Sequence, residues 1–200
     1  MGNPLAVSFA VIAGTIFLAE LTDKDALLLI SLATRTRALT VFFAGAVAFV
    51  FTTALFVSLG KIAIAVVPIL WVKAAGGVAM LAYGVWETKG LVGQSAVARE
   101  EGMLETTRRG LRSFLFMVAA LALLDIAGDA TEVLTVVFVA QYSDALLVFA
   151  GACTGLIAAT AVQTAVGNRL GRTLTPDRLR YVSIAVFLLL GSFILISTLA

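Results

Sequence analysis

Glu20, Asp23, Lys24 and Asp25 crowd into the middle of an apolar run that extends from Leu5 to Thr34. About one hundred residues later, Asp125, Asp129 and Glu132 do the same within a second apolar run, beside Gly128 and Thr131. Charge at membrane depth is costly and rare, and where it persists it marks a pathway or a binding site. Six acids and one lysine, if all ionised, cannot be held in hydrocarbon without cations, protons or water. Asp125, Asp129 and Glu132 fall at i, i+4 and i+7, and Glu20, Asp23 and Lys24 at i, i+3 and i+4. Each set therefore forms one stripe on a regular helix. Asp25 points away from the first stripe, which suits a local break or a different partner.

Two facing acidic stripes would make an oxygen-rich cage. Carboxylates and carbonyls suit calcium, magnesium and manganese. The chain has no histidine and a single cysteine, Cys153, so nothing favours zinc or copper. Carboxylates this close together also bind protons as a coupled set. The same groups can then hold either a divalent cation or protons, which is the minimal chemistry of an antiporter. Lys24 and Asp25 are the candidate coupling groups, with Lys24 neutralising the empty site. Two other readings use the same residues. Structural ion pairing between helices fails on numbers, because one lysine cannot match six acids. A metal-independent proton channel or pump is the stronger competitor.

These residues need a membrane-spanning scaffold. The chain has 200 residues, of which 61% are hydrophobic and only 13% charged, and its mean hydropathy is +1.07. A soluble domain of this length cannot hide that much apolar surface. Several runs reach the roughly 20 residues that a helix needs to cross a bilayer. Helices satisfy their own backbone in lipid, and the alternation of a barrel strand is absent. The expected fold is an all-α membrane protein of six transmembrane helices. They span roughly 5–34, with a break at the Glu20–Asp25 stretch, then 39–59, 69–86, 113–141, 145–167 and 181–199. Pro68 separates a short apolar piece, 62–67, from the third helix. The polar stretch from Glu87 to Arg112 reads as a solvated linker, so the chain divides into 1–88, 89–112 and 113–200.

The two halves resemble each other. Asp23 and Asp129 stand 106 positions apart, as do Gly45 and Gly151 within matching Phe-Ala-Gly-Ala runs; Pro68 and Pro176 stand 108 apart. Three helices per half is an odd number, so the second half must be inverted, an arrangement that places a site near the midplane. Basic residues such as Arg35, Arg37, Arg108, Arg109, Arg112, Arg169 and Arg172 fall in the first, third and fifth loops, whereas the other side has only Lys61 and Lys73. That asymmetry puts the linker in the cytoplasm and both termini outside.

Thr52, Thr53, Thr154, Thr160, Gln163 and Thr164 sit on the second and fifth helices, where they line the path or bond their own helices. Gly14, Gly45, Gly76, Gly77 and Gly151 read as close-packing positions, Cys153 as an inert core residue, and Trp71 and Trp86 as interfacial anchors. The first apolar run is too long, and lacks the basic start, for a cleavable signal peptide. No phosphate-cradling glycine loop is visible, so ATP drive is not expected. Nor are there basic clusters with interleaved aromatics, so a nucleic-acid partner is not expected either.

At the acidic stretches the chain resembles the family of Golgi calcium/manganese–proton exchangers and their bacterial manganese-exporter relatives. Their hallmark is two copies of Glu-x-Gly-Asp-Lys-(Thr/Ser), one per inverted repeat. Glu20-Leu-Thr-Asp23-Lys24-Asp25 matches the first copy at Glu20, Asp23 and Lys24. Gly128-Asp129-Ala-Thr131 matches the second at Gly128, Asp129 and Thr131. The departures are Thr22 and Ile126, in place of a glycine and a glutamate, and Asp25 and Ala130, in place of a Thr/Ser and a lysine. The resemblance implies divalent-cation export coupled to proton entry in a bacterial inner membrane. It carries Glu20, Asp23 and Asp129 over as metal ligands and Thr131 as a candidate fourth, with Asp125 and Glu132 restoring the lost charge. The partners are then the lipid bilayer, manganese or calcium, and protons. No resident cofactor is expected, a homodimer is left open, and export of cadmium or lysine is the alternative within the wider superfamily.

Overall fold

The computed structural model describes residues 4–88, 111–126, 130–142, 144–170, 188–189, 191–196 and 198. Among them every regular element is a helix. The elements are α1 (Pro4–Thr22), α2 (Lys24–Arg35), α3 (Ala38–Val66), α4 (Ile69–Thr88), α5 (Leu111–Ile126), α6 (Ala130–Tyr142) and α7 (Ala145–Leu170). The short helical segment 191–196 follows.

Three stretches, Pro4–Leu21, Ala38–Val66 and Ala145–Arg169, are long and apolar enough to cross a membrane. The pair α5 and α6, bent by 66° at its joint, makes a fourth if taken as one span. The chain wears its apolar side chains outward: Leu39, Phe43, Val47 and Phe51 form an exposed stripe along α3, while Glu20, Asp23, Asp125 and Glu132 are buried. A water-soluble domain shows the opposite distribution. The protein is an integral membrane protein.

Local sequence explains the helix ends. α3 stops at Val66 because Val67 precedes Pro68, and a residue before proline is pushed to extended backbone. Val67 has φ −115° and ψ 135°. α7 begins at a side-chain cap: Asp144 Oδ1 accepts the amides of Leu146 at 3.1 Å and Leu147 at 3.0 Å. α3, starting 107 positions earlier at Ala38, has Arg37 in the capping position and no side-chain cap bond.

The packing between halves is reciprocal. α1 and α2 lie chiefly against α7, while α5 and α6 lie chiefly against α3. Each half's broken first unit is thus seated on the long second helix of the other. Glycines permit the closest approach. A Cβ at Gly155 would sit 2.5 Å from the Ala13 carbonyl oxygen, and one at Gly167 would sit 2.4 Å from that of Ile30, so α7 touches the backbone of α1 and α2 directly. Gly45, Gly76, Gly77 and Gly151 also face close neighbours. Gly14 has nothing within 4 Å and is no packing position.

Two expected boundaries are corrected. The second helix does not end at Gly60-Lys61; α3 continues through them for another turn and a half to the proline stop. The helix expected over 113–141 is two helices, α5 and α6, bent by 66° to each other, and residues 127–129 lie outside the described residues. The expected break in the first span is present, at Asp23. Most of the expected linker, from 89 to 110, and residues 181–187 of the expected last helix lie outside the described residues.

Candidate functional site

Each acidic stretch sits at a joint between two helices. Glu20 lies in the last turn of α1 with 0% of its surface exposed, and Asp23, 2% exposed, is the one non-helical residue between α1 and α2. The chain closes tightly around it. The Asp23 amide reaches the Glu20 carbonyl at 3.4 Å, and the Ala26 amide reaches the Asp23 carbonyl at 3.2 Å, both three-residue closures. A helix end leaves its last carbonyls without helical partners. That of Glu20 finds one in the other half: Gln163 Nε2 on α7 donates to it at 2.9 Å.

Asp125, 1% exposed, is the next-to-last residue of α5. Thr52 on α3 donates its hydroxyl to Asp125 Oδ2. Thr52 Oγ1 also lies 3.1 Å from the Phe49 carbonyl and 3.3 Å from that of Ala48. A hydroxyl has one proton to give, and a carboxylate is the strongest of the three acceptors. Beyond the joint, Thr131 and Glu132 are buried in the first turn of α6, where the helix dipole favours an acid. Thr135 bonds back to the Thr131 carbonyl at 2.9 Å. Cys153 is buried on α7, near Thr53 of α3 and Glu132 of α6. Both α1 and α5 therefore bring a helix C-terminus, with its partial negative charge, to a buried acid. Such ends, together with carbonyls released at a break, serve as cation sites in broken-helix transporters.

Glu20, Asp23, Asp125, Thr131 and Glu132 are all buried at the two joints. Asp129 lies outside the described residues, as do the side chains of Lys24 and Asp25, whose backbones open α2. Among the described residues, no three His, Cys, Asp or Glu side chains group closely enough to hold a metal ion. Of the stripe expected for Asp125, Asp129 and Glu132, Asp129 lies outside the described residues, and Asp125 near the end of α5 and Glu132 in the first turn of α6 stand on helices bent by 66° to each other.

Of the polar residues on the long helices, Thr52, Thr53, Thr160, Gln163 and Thr164 are buried. Thr154 is exposed and only bonds its own Ala150 carbonyl, at 2.7 Å. The cross-half partnerships Thr52–Asp125 and Gln163–Glu20 were not legible as pairs. Their signal in the sequence was a polar residue within an otherwise apolar helix. Thr135 carried a weaker one, four residues after Thr131.

An apolar-surfaced helical protein with carboxylates buried at two helix breaks is built as a membrane protein with an acidic interior. A family model, the divalent cation/proton antiporter GDT1, matches residues 8–94 and 113–200, one segment in each half. The chain belongs to this family of antiporters and is a transporter, not an enzyme. None of the curated proteins and none of the solved structures matches it.

Proposed function

We propose that the chain exports manganese or calcium in exchange for protons through a site between the two joints. The reading is carried by one observation: each half buries a carboxylate at a helix break, and a polar side chain from the other half is bonded at that break. A site assembled from both halves is what an exchanger needs if the halves move against each other around a fixed cation. Glu20, Asp23 and Asp129 act as metal ligands, with Asp125, Glu132 and Thr131 completing the oxygen shell and Lys24 and Asp25 coupling it to protons. The cation is cargo, and no resident cofactor is required.

The architecture we infer is six spans in two inverted repeats, 1–88 and 113–200, joined by a cytoplasmic linker, with both termini outside a bacterial inner membrane. The reciprocal seating of each broken unit on the other half's long helix supports a twofold relation. The joints between α2 and α3 and between α6 and α7 precede Ala38 and Ala145, 107 positions apart, which supports the repeat.

The test is purified protein in liposomes, with an imposed pH gradient and a panel of manganese, calcium, magnesium, cadmium and lysine. Cation movement coupled to proton movement is expected for manganese or calcium, and loss of both in Glu20→Gln and Asp129→Asn. Proton flux that ignores the cation would replace the exchanger with a channel. Normal exchange in both variants would remove the site.

A further inference from the structure

We infer that Gln163 is a cation-selecting residue, whose side-chain carbonyl oxygen faces the transported ion while its amide nitrogen braces the break in the first span; the inference rests on the exchanger reading above. The amide is 1% exposed on α7, a membrane-spanning helix. Its orientation is fixed by chemistry. The partner at 2.9 Å is the Glu20 carbonyl oxygen, an acceptor only, so the group pointing at it must be Nε2–H. Oε1 is thereby directed elsewhere, and among the described residues it is buried with no hydrogen-bond partner.

A buried amide oxygen without a donor is costly to the fold and rarely kept. In a protein whose cargo is a hard cation, an oxygen of this kind is the ligand such a cation takes: divalent calcium accepts six to eight oxygens, amide carbonyls among them. The geometry ties the residue to the break. Its own amide nitrogen is bonded to the residue that carries one of the buried carboxylates, three positions before the joint at Asp23. A neutral oxygen that joins carboxylates around a cation adds a coordination position without adding charge. It thereby favours a larger ion with more ligands over a small one that keeps its water.

A bracing role and a selecting role make different predictions. A brace alone affects folding and turnover equally for every cation. A selecting oxygen affects apparent affinity, and unequally between cations. The experiment measures cation-dependent proton flux in liposomes against manganese and calcium concentration for the full chain, for Gln163→Leu and for Gln163→Glu, with Glu20→Gln as the control for the site itself. The expected result for Gln163→Leu is a KM raised by at least about tenfold for the preferred cation, the lower range for losing one partner at a metal site, with kcat little changed. Gln163→Glu, which keeps an oxygen and adds charge, is expected to lower KM and to change the manganese-to-calcium ratio, and it tests the idea even if the leucine variant does not fold. Wild-type KM and cation preference in the variants, while Glu20→Gln is inactive, would overturn the inference and leave the exchanger standing. The same holds if kcat and thermal stability fall alike for both cations at unchanged KM. Cation-independent flux in the unmodified protein would overturn the exchanger reading and this inference with it.

Discussion

Thr52→Val tests whether the second half's acid is held by the first half's helix. The substitution keeps shape and β-branching and removes only the hydroxyl that donates to Asp125 Oδ2. Thr52 is 0% exposed and Asp125 1%, so water cannot replace the lost donor. A hydrogen bond to a charged group contributes about 1.5–3 kcal/mol, and about 1.4 kcal/mol corresponds to a factor of ten in an equilibrium constant. If the bond is made only in the cation-bound state, apparent cation affinity falls by about 10- to 150-fold. If it is made in every state, the same energy is lost from the fold and the affinity stays.

The assay is therefore double: KM from cation-dependent proton flux in liposomes, and thermal stability in detergent. One of the two should fall in Thr52→Val, and Thr52→Ser should recover it, because serine returns the donor. A valine variant unchanged in both measurements would refute the assignment. So would a serine variant as impaired as the valine one, since the defect would then lie in packing around the missing methyl rather than in the hydroxyl.

Three further outcomes follow from the same geometry. Gly155→Ala should lower thermal stability by about 1–3 kcal/mol, the usual range for overpacking, because its Cβ would meet backbone atoms of Ala13 and Phe17 at 2.5 and 3.0 Å. Gly14→Ala meets nothing within 4 Å and should hold or raise stability, by up to about 1 kcal/mol through helix propensity; equal losses in a melting series would contradict the close contact of α7 with α1. If protons and cation compete for the same carboxylates, as proposed, KM should rise as pH is lowered, by up to about tenfold per pH unit for each proton displaced, and a KM independent of pH would separate the proton path from the cation site.

The buried acids were legible because lipid makes charge conspicuous. Glu20, Asp23, Asp125 and Glu132 stand out against apolar neighbours in the sequence, and all four are buried. The break at Asp23 was legible for a related reason: a run of about thirty residues with four charges at its centre has no reason to remain one straight helix. The second break was hidden by a persuasive periodicity. Asp125, Asp129 and Glu132 fit one face of a continuous helix, yet the two flanking helices, α5 and α6, are bent by 66° to each other. Side-chain spacing tells which residues would share a face only if the backbone stays one straight helix. The continuation of α3 through Gly60-Lys61 is the opposite case. Gly60 is buried against Val136 and Val139 of α6, so packing outweighs its poor helix propensity.

Partnerships across the halves are beyond any local pattern, because they depend on which helix is seated on which. Those partnerships carry the functional argument furthest. Gln163 reaches from the second half to the break in the first, and Thr52 reaches from the first half to the acid of the second. Neither joint is complete within its own half, so a movement of one half against the other disturbs both together. A cation bound to carboxylates at both joints would resist that movement until protons replaced it. On the proposed reading, cross-half bonding joins two requirements of an exchanger, a shared site and a linked motion, in the same few side chains. This is why single substitutions at Thr52 and Gln163, neither of which carries charge, are expected to matter almost as much as substitutions of the acids.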